Sequence, residues 1–186
     1  VAVMASIAAL LALWRSVDTP PSAQWMRGAL DQPLHAGDSV RPGDTLALAL
    51  QLAARSYVYV INEDSHGARF QLFPLAGSEL QNPLPPGHIR LPGKVDGEPM
   101  EWQITSRGGR ERFYVLIADA PLPDVQALVL AQPSNVRDTL LASEPERGVG
   151  GLAAQSSSES ADQRWIEALR ARHPGLRIEH FELSNP

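Results

Sequence analysis

Tyr57-Val-Tyr-Val-Ile-Asn-Glu-Asp-Ser-His-Gly-Ala-Arg-Phe-Gln-Leu-Phe-Pro74 holds two apolar, aromatic-rich runs around a polar turn. The first run, Tyr57 to Ile61, is β-branched or aromatic throughout, a composition that suits a pleated, half-buried surface. In the second, Phe70 and Leu72 alternate with Arg69 and Gln71. Asn62, Asp64, Ser65 and Gly67 between them are residues that tolerate positive φ or bond their own backbone. The pattern predicts a central β-hairpin, with Gly67 as a structural turn residue.

Working outward, Thr45 to Leu52 places Leu46, Leu48, Leu50 and Leu52 at strict period two, which predicts a half-buried strand with the leucines inward. His35-Ala-Gly-Asp38 and Arg41-Pro-Gly-Asp44 are turn signals, with a short strand expected near Ser39 and Val40. Leu75 to Gly87 is a proline-rich loop. His88 to Leu91 is a brief strand ended by Pro92-Gly93. Met100, Trp102 and Ile104 alternate with Glu101, Gln103 and Thr105 as another strand. Ser106 to Glu111 reads as a hairpin connection whose Gly108 and Gly109 supply a tight turn. Phe113 to Ala118 is apolar on both faces, as a strand in the middle of its sheet is.

Asp124 to Ala131 carries Val125, Leu128 and Val129 at helical spacing, and a second helix is expected at Asn135 to Leu141. Residues 144–158 are rich in glycine and serine and predict a flexible loop. Ser160-Ala-Asp-Gln163 has capping-box form. The helix after it puts Trp165, Ile166 and Leu169 on one face and stops at Pro174-Gly175. Leu176 to Leu183 returns as a strand, expected beside the hairpin sheet. The fold class is therefore mainly β with short helices (α+β): an antiparallel β-sandwich-like domain over residues 34–186, ending in a helix plus strand over 159–186.

The N-terminal part differs. Val1 to Trp14 is an almost unbroken apolar run. As a helix it spans roughly 21 Å, short of a hydrocarbon core of roughly 30 Å. It reads as the end of a transmembrane helix that begins upstream, with Trp14 and Arg15 at the interface, or as the remnant of a signal peptide. A buried core helix is the competing reading. Residues 1–15 are thus assigned as membrane helix or signal remnant. Residues 16–33 are assigned as linker, with a short helical turn around Ala23 to Leu30.

Composition excludes several classes. The chain has 186 residues and a net charge of −5, from 16 basic and 21 acidic residues, which argues against nucleic acid as the main partner. There is no cysteine, so thiol catalysis, disulfides and cysteine-bound zinc are excluded within this sequence. The five histidines have no metal-ligand spacing. Glu63, Asp64 and Ser65 lack the calcium-loop pattern. No metal and no cofactor is expected. Gly-x-Ser-x-Gly is missing, and Gly108-Gly109 precedes a strand where a phosphate-binding loop needs a helix.

Three groups of side chains remain. Arg107, Arg110, Glu111 and Arg112 form a charged cluster at the entry to an apolar strand and require solvent or partners. Glu111 and Arg112 lie on opposite faces, so that one points inward. A structural ion pair is favoured there over an anion-binding patch. Tyr57, Tyr59 and Trp102 are candidates for an aromatic groove, against ordinary core packing. Ser106, with His66 and Asp64, is the nearest approach to a hydrolase site, although the sequence places no base beside Ser106.

Tyr57-Val-Tyr-Val-Ile-Asn62 with Gly67, Leu72-Phe-Pro74, Asn82-Pro-Leu-Pro-Pro86, Leu91-Pro-Gly93, Trp102 and Gly108-Gly-Arg-Glu-Arg-Phe113 together resemble a bacterial family, domain-of-unknown-function family 4384, over about residues 40–135. The resemblance implies a small β-rich module of a larger chain. Its relatives are often joined to serine/threonine kinase or caspase-like modules, or follow a membrane segment. It implies no catalytic residues. No kinase motif is present here, so such a partner domain would lie upstream of Val1. The helix and strand after Ser158 fall outside the resemblance.

The expected function is a non-enzymatic sensory or binding module of a membrane-anchored bacterial regulatory protein. It is anchored in the inner membrane through residues 1–14, with its folded domain in the periplasm. Its expected partner is a protein or an upstream regulatory domain. Tyr57, Tyr59, Trp102, Arg107, Arg110 and Arg112 are its first candidate binding surface. A hydrolase using Ser106 and His66, and an interaction scaffold working through a sheet edge, are the alternatives.

Overall fold

The computed structural model describes residues 21–28, 30–65, 67–130 and 165–186. The chain is mainly β, with antiparallel sheets and few short helices. The first sheet runs β2 (Gln32–Pro33), β1 (Ser22–Arg27), β3 (Thr45–Leu52), β6 (Gly87–Leu91), and β9 (Trp102–Gln103) also pairs with β3. The second runs β11 (Arg177–Ser184), β10 (Arg110–Ala118), β4 (Tyr57–Glu63), β5 (Arg69–Phe73). A small ribbon joins β7 (Lys94–Val95) to β8 (Glu98–Pro99).

Period two decides what each strand buries. Leu46, Leu48, Leu50 and Leu52 of β3 meet Val58, Val60, Phe113, Val115 and Ile117 of the second sheet in one buried cluster. Trp25 of β1 lies at its centre of aromatic contacts, 4.4 Å from Phe113 and stacked on Phe181 at 5.8 Å between ring centroids. The alternate residues of β4 and β10 (Tyr59, Ile61, Tyr114, Leu116) point to the opposite face. There Leu122 and Val125 at the start of α1 (Pro123–Leu130), with Trp165 and Leu169 of the helix 165–172, here α2, cover them. The second sheet is buried on both faces, which is why β10 reads as continuously apolar.

The hairpin, the leucine strand, the strand at 88–91, the central place of β10 and the late strand beside the hairpin sheet are all present. Trp165 and Leu169 are buried on one face of α2, as expected. Other expectations are corrected. Ser22–Arg27 is neither linker nor helical turn but strand β1, paired along its length with β3. Its Trp25 needs a buried site, and tertiary packing overrides local propensity. Residues 106–109 do not close a hairpin: they carry the chain from β9 in one sheet to β10 in the other. The strand expected at 100–105 is limited to Trp102–Gln103. Ser39 forms a single parallel bridge to Ser184. The apolar run 1–14, the helix expected at 135–141, the loop 144–158 and the cap at Ser160 lie outside the described residues. Among the described residues no helix is long and apolar enough to cross a membrane.

Candidate functional site: the charged end and outer edge of the second sheet

Arg112 and Glu63 are register partners on β10 and β4, on the face that the helices cover. Glu63 is fully buried, and two arginines neutralise it: Arg69 Nε at 2.7 Å and Arg112 Nη1 at 3.0 Å. The Arg69 guanidinium also lies 4.9 Å from the Trp165 ring centroid, a cation–π contact from α2. Arg112 reaches Glu182 of β11 at 3.4 Å, and Arg110 reaches the same carboxylate at 3.5 Å. The structural ion pair expected of Arg112 is therefore there, extended into a network across three strands. From sequence Glu63 enters only as part of a turn that lacks the calcium-loop pattern, not as the buried anion of this network. Its signal was available: it shares its parity with Tyr59 and Ile61, so a carboxylate falls on an apolar face.

Glu111 faces the other way and is also buried. Its partners are neutral donors. Ser106 Oγ donates to Oε1 in a short hydrogen bond, Asn62 Nδ2 donates to Oε2 at 3.0 Å, and Asn185 Nδ2 lies 3.4 Å from Oε1. Asn185 also donates to the Ser106 carbonyl at 3.0 Å, and its own N–H bonds Gly109 O at 2.9 Å. The end of the chain is thereby tied to the 106–109 crossover. Gly109, at φ 93°, packs so closely on Ser65 that a Cβ there would overlap the serine side chain. The hydroxyl of Ser106 is thus engaged by Glu111 and Asn185, and Asp64 accepts from Ala68 N at 2.9 Å. His66 lies outside the described residues.

The aromatic candidates are not brought to one groove. Tyr57 and Tyr59 lie on the helix side of the second sheet, and Tyr59 Oη accepts from Leu122 N at 2.9 Å, fixing the entry to α1. Trp102 packs against the core between the sheets, 5.7 Å from Trp25, and donates to Leu72 O at 3.2 Å. Arg107 and Arg110 are exposed.

Two small concavities lie among the described residues. One of about 270 Å³ lies on the outer face of the first sheet, where Arg90 pairs with Glu101 at 2.7 Å and with Asp31 at 3.1 Å. Burial disfavours the charge on Arg90, but its hydrogen bonds to Glu101 and Asp31, and their charges, outweigh this and raise its pKa above the ordinary value. A second of about 130 Å³ lies between Ala23 and Trp25 of β1 and Glu179 and Phe181 of β11. Among the described residues no group of three or more acidic or histidine side chains is placed to hold a metal ion.

What the polar side chains leave open is a backbone edge. β11 ends its sheet. Gly37 N bonds Glu182 O, Ser184 N bonds Asp38 O and Val40 N bonds Ser184 O, so residues 37–40 cover the last part of the strand. These bonds set the alternation: even-numbered residues of β11 turn their N–H and C=O away from β10. Ile178, opposite Leu116, therefore directs both groups off the sheet, and among the described residues nothing bonds them.

Residues 39–121 match the family model described as Domain of unknown function (DUF4384). This segment belongs to the DUF4384 family. No curated protein and no solved structure matches the chain. The DUF4384 segment spans β3 to β10, while β1 and β11, which flank it in the two sheets, lie outside it. The family motif residues hold backbone in place. Asn82, for example, pairs with β4 like a strand, accepting from Val58 N at 2.9 Å and donating to Val58 O at 2.7 Å.

Proposed function

We propose that this DUF4384-containing chain is a non-enzymatic interaction module of a membrane-anchored bacterial regulatory protein, and that it takes a protein partner along the outer edge of β11. The observation that carries this reading is the pair of backbone groups at Ile178 that no described residue bonds, beside a charged end whose side chains satisfy one another. An exposed strand edge is a template for another strand, with main-chain bonds giving affinity and flanking side chains giving selectivity. The two concavities among the described residues, about 270 and 130 Å³, are small for a site that must bury most of a small-molecule ligand.

The proposed place is the extracytoplasmic side, with residues 1–14 as the anchor. The resemblance to modules that follow membrane segments supports it, as does the apolar character of that run.

Two experiments test the reading. Alkaline phosphatase fused after Pro186 is expected to be active in intact cells; an inactive fusion overturns the placement. For the edge, the full chain is cross-linked in its native membrane, as wild type and as Ile178→Pro. Proline removes an N–H that β10 does not use, so the fold is retained. Partners are expected to be lost from Ile178→Pro and kept by Arg107→Ala. Equal recovery with Ile178→Pro overturns the edge reading.

A further inference from the structure

We infer that Glu111, Ser106 and Asn185 bind one sodium ion where the 106–109 crossover meets the end of β11. This site is separate from the strand edge at Ile178 and does not rest on the edge reading.

Glu63 and Glu111 are buried carboxylates with opposite surroundings. Glu63 lies between two arginines, at 2.7 and 3.0 Å. Glu111 meets no cation among the described residues. Its partners are Ser106 Oγ, Asn62 Nδ2 and Asn185 Nδ2, all of them neutral. Burying a charge without a counter-charge is costly, and buried charges are normally paired or bound to metal ions.

Asn185 points to the same place independently. Its side chain is fully buried, yet Oδ1 has no hydrogen-bond partner among the described residues. All its side-chain contacts are at Nδ2, which faces Ser106 O at 3.0 Å, Ser106 Oγ at 3.2 Å and Glu111 Oε1 at 3.4 Å. Two N–H bonds are thus shared among three acceptors, while the amide oxygen serves none. A half-turn about χ2, a broad and roughly two-fold torsion in asparagine, exchanges Oδ1 and Nδ2 at nearly the same volume. Oδ1 then stands among the three oxygens, and oxygens so placed repel one another unless a cation lies between them.

Spacing and charge select the ion. Adjacent ligands of an octahedral ion with bonds of about 2.3–2.4 Å, the short end of the calcium range, stand about 3.3 Å apart. The 3.0–3.4 Å between the Asn185 amide and its three neighbours fits that size. One carboxylate neutralises one positive charge, so the ion is monovalent. Sodium has the size of calcium and half its charge, whereas potassium makes longer bonds. The Ser106 hydroxyl goes on donating to Glu111 while its lone pair faces the ion. Ser106 is partly exposed, so water can complete the shell. A single carboxylate among amide, hydroxyl and main-chain oxygens is not a cluster of acids or histidines.

The thermal midpoint of the full chain provides the test, read in sodium, potassium and choline chloride at equal ionic strength. An ion that binds only the folded chain stabilises it by mass action. The wild type is therefore expected to melt highest in sodium, with a midpoint that rises steadily as sodium replaces choline. Glu111→Gln keeps the shape and removes the charge, and is expected to melt at one temperature in all three salts. Equal wild-type midpoints overturn the proposal, as does a sodium preference that survives in Glu111→Gln. If Glu111→Gln does not fold, Ser106→Ala takes its place: it loses one ligand oxygen and is expected to need more sodium for the same rise. An unchanged sodium dependence in Ser106→Ala overturns the proposal too.

Discussion

Glu63 and Arg112 face one another across β4 and β10, and their side chains meet at 3.0 Å on the side of the sheet that the helices cover. With Arg69 at 2.7 Å on the other carboxylate oxygen, Glu63 is held between two cations with no solvent contact. The charged end, where the sequence favours a structural ion pair over an anion-binding patch, is largely a closed structural network.

Removing the anion leaves two poorly solvated arginines facing each other. Glu63→Gln is expected to lose about 3 kcal/mol of stability, the scale for breaking a buried ion pair from one side. Arg112→Met should cost less, because Arg69 still holds Glu63. Urea denaturation midpoints of the two variants measure the difference; a larger loss from Arg112→Met would contradict the assigned geometry.

Ser106 and Asn185 both serve the buried Glu111 carboxylate. Ser106→Ala removes a donor from it and is expected to cost about 1–3 kcal/mol. Asn185→Ala removes a donor and also frees the 106–109 crossover, so its thermal midpoint should fall at least as far. Midpoints equal to wild type would show that neither side chain holds Glu111.

Gly109 and Gly108 separate two kinds of glycine. Both have positive φ, but only Gly109 packs against Ser65, whereas a Cβ on Gly108 meets open space. Gly108→Ala is expected to cost about 1 kcal/mol from backbone strain alone. Gly109→Ala adds overpacking, for a loss of about 2–3 kcal/mol. Equal losses would remove the close approach of the crossover to the hairpin turn.

Trp25 tests where the domain begins. It contacts Phe113, Phe181 and Trp102, although it precedes the DUF4384 segment. Trp25→Ala is expected to cost about 3–5 kcal/mol. A chain cut to residues 39–121 loses Trp25 and Leu183 from the core and is expected to show no cooperative thermal transition. A cooperative transition there would place the fold within the family segment alone.

The strands legible in the sequence are those with long, unbroken period two and apolar faces, such as Leu46 to Leu52 and Phe113 to Ala118. β1 was not legible because Ser22, Gln24 and Arg27 leave only Trp25 and Met26 as strong apolar residues, and these are adjacent. The ion pair at Arg112 was legible as a need for a partner, but not the partner, since Glu63 is 49 residues away. Tyr57, Tyr59 and Trp102 show the same limit: parity tells which tyrosines share a face, but not that Trp102 packs on the other side of that sheet. The edge at Ile178 depends on which strand ends the sheet, a property of topology that no local pattern carries.

Hydrogen exchange at the Ile178 amide, followed by NMR over a range of chain concentrations, is the most direct measurement. At the lowest concentration Ile178 is expected to exchange fast while Glu179, bonded into β10, exchanges slowly. An Ile178 amide that is already slow in the most dilute sample would mean that its edge is covered within one chain, and would contradict the account.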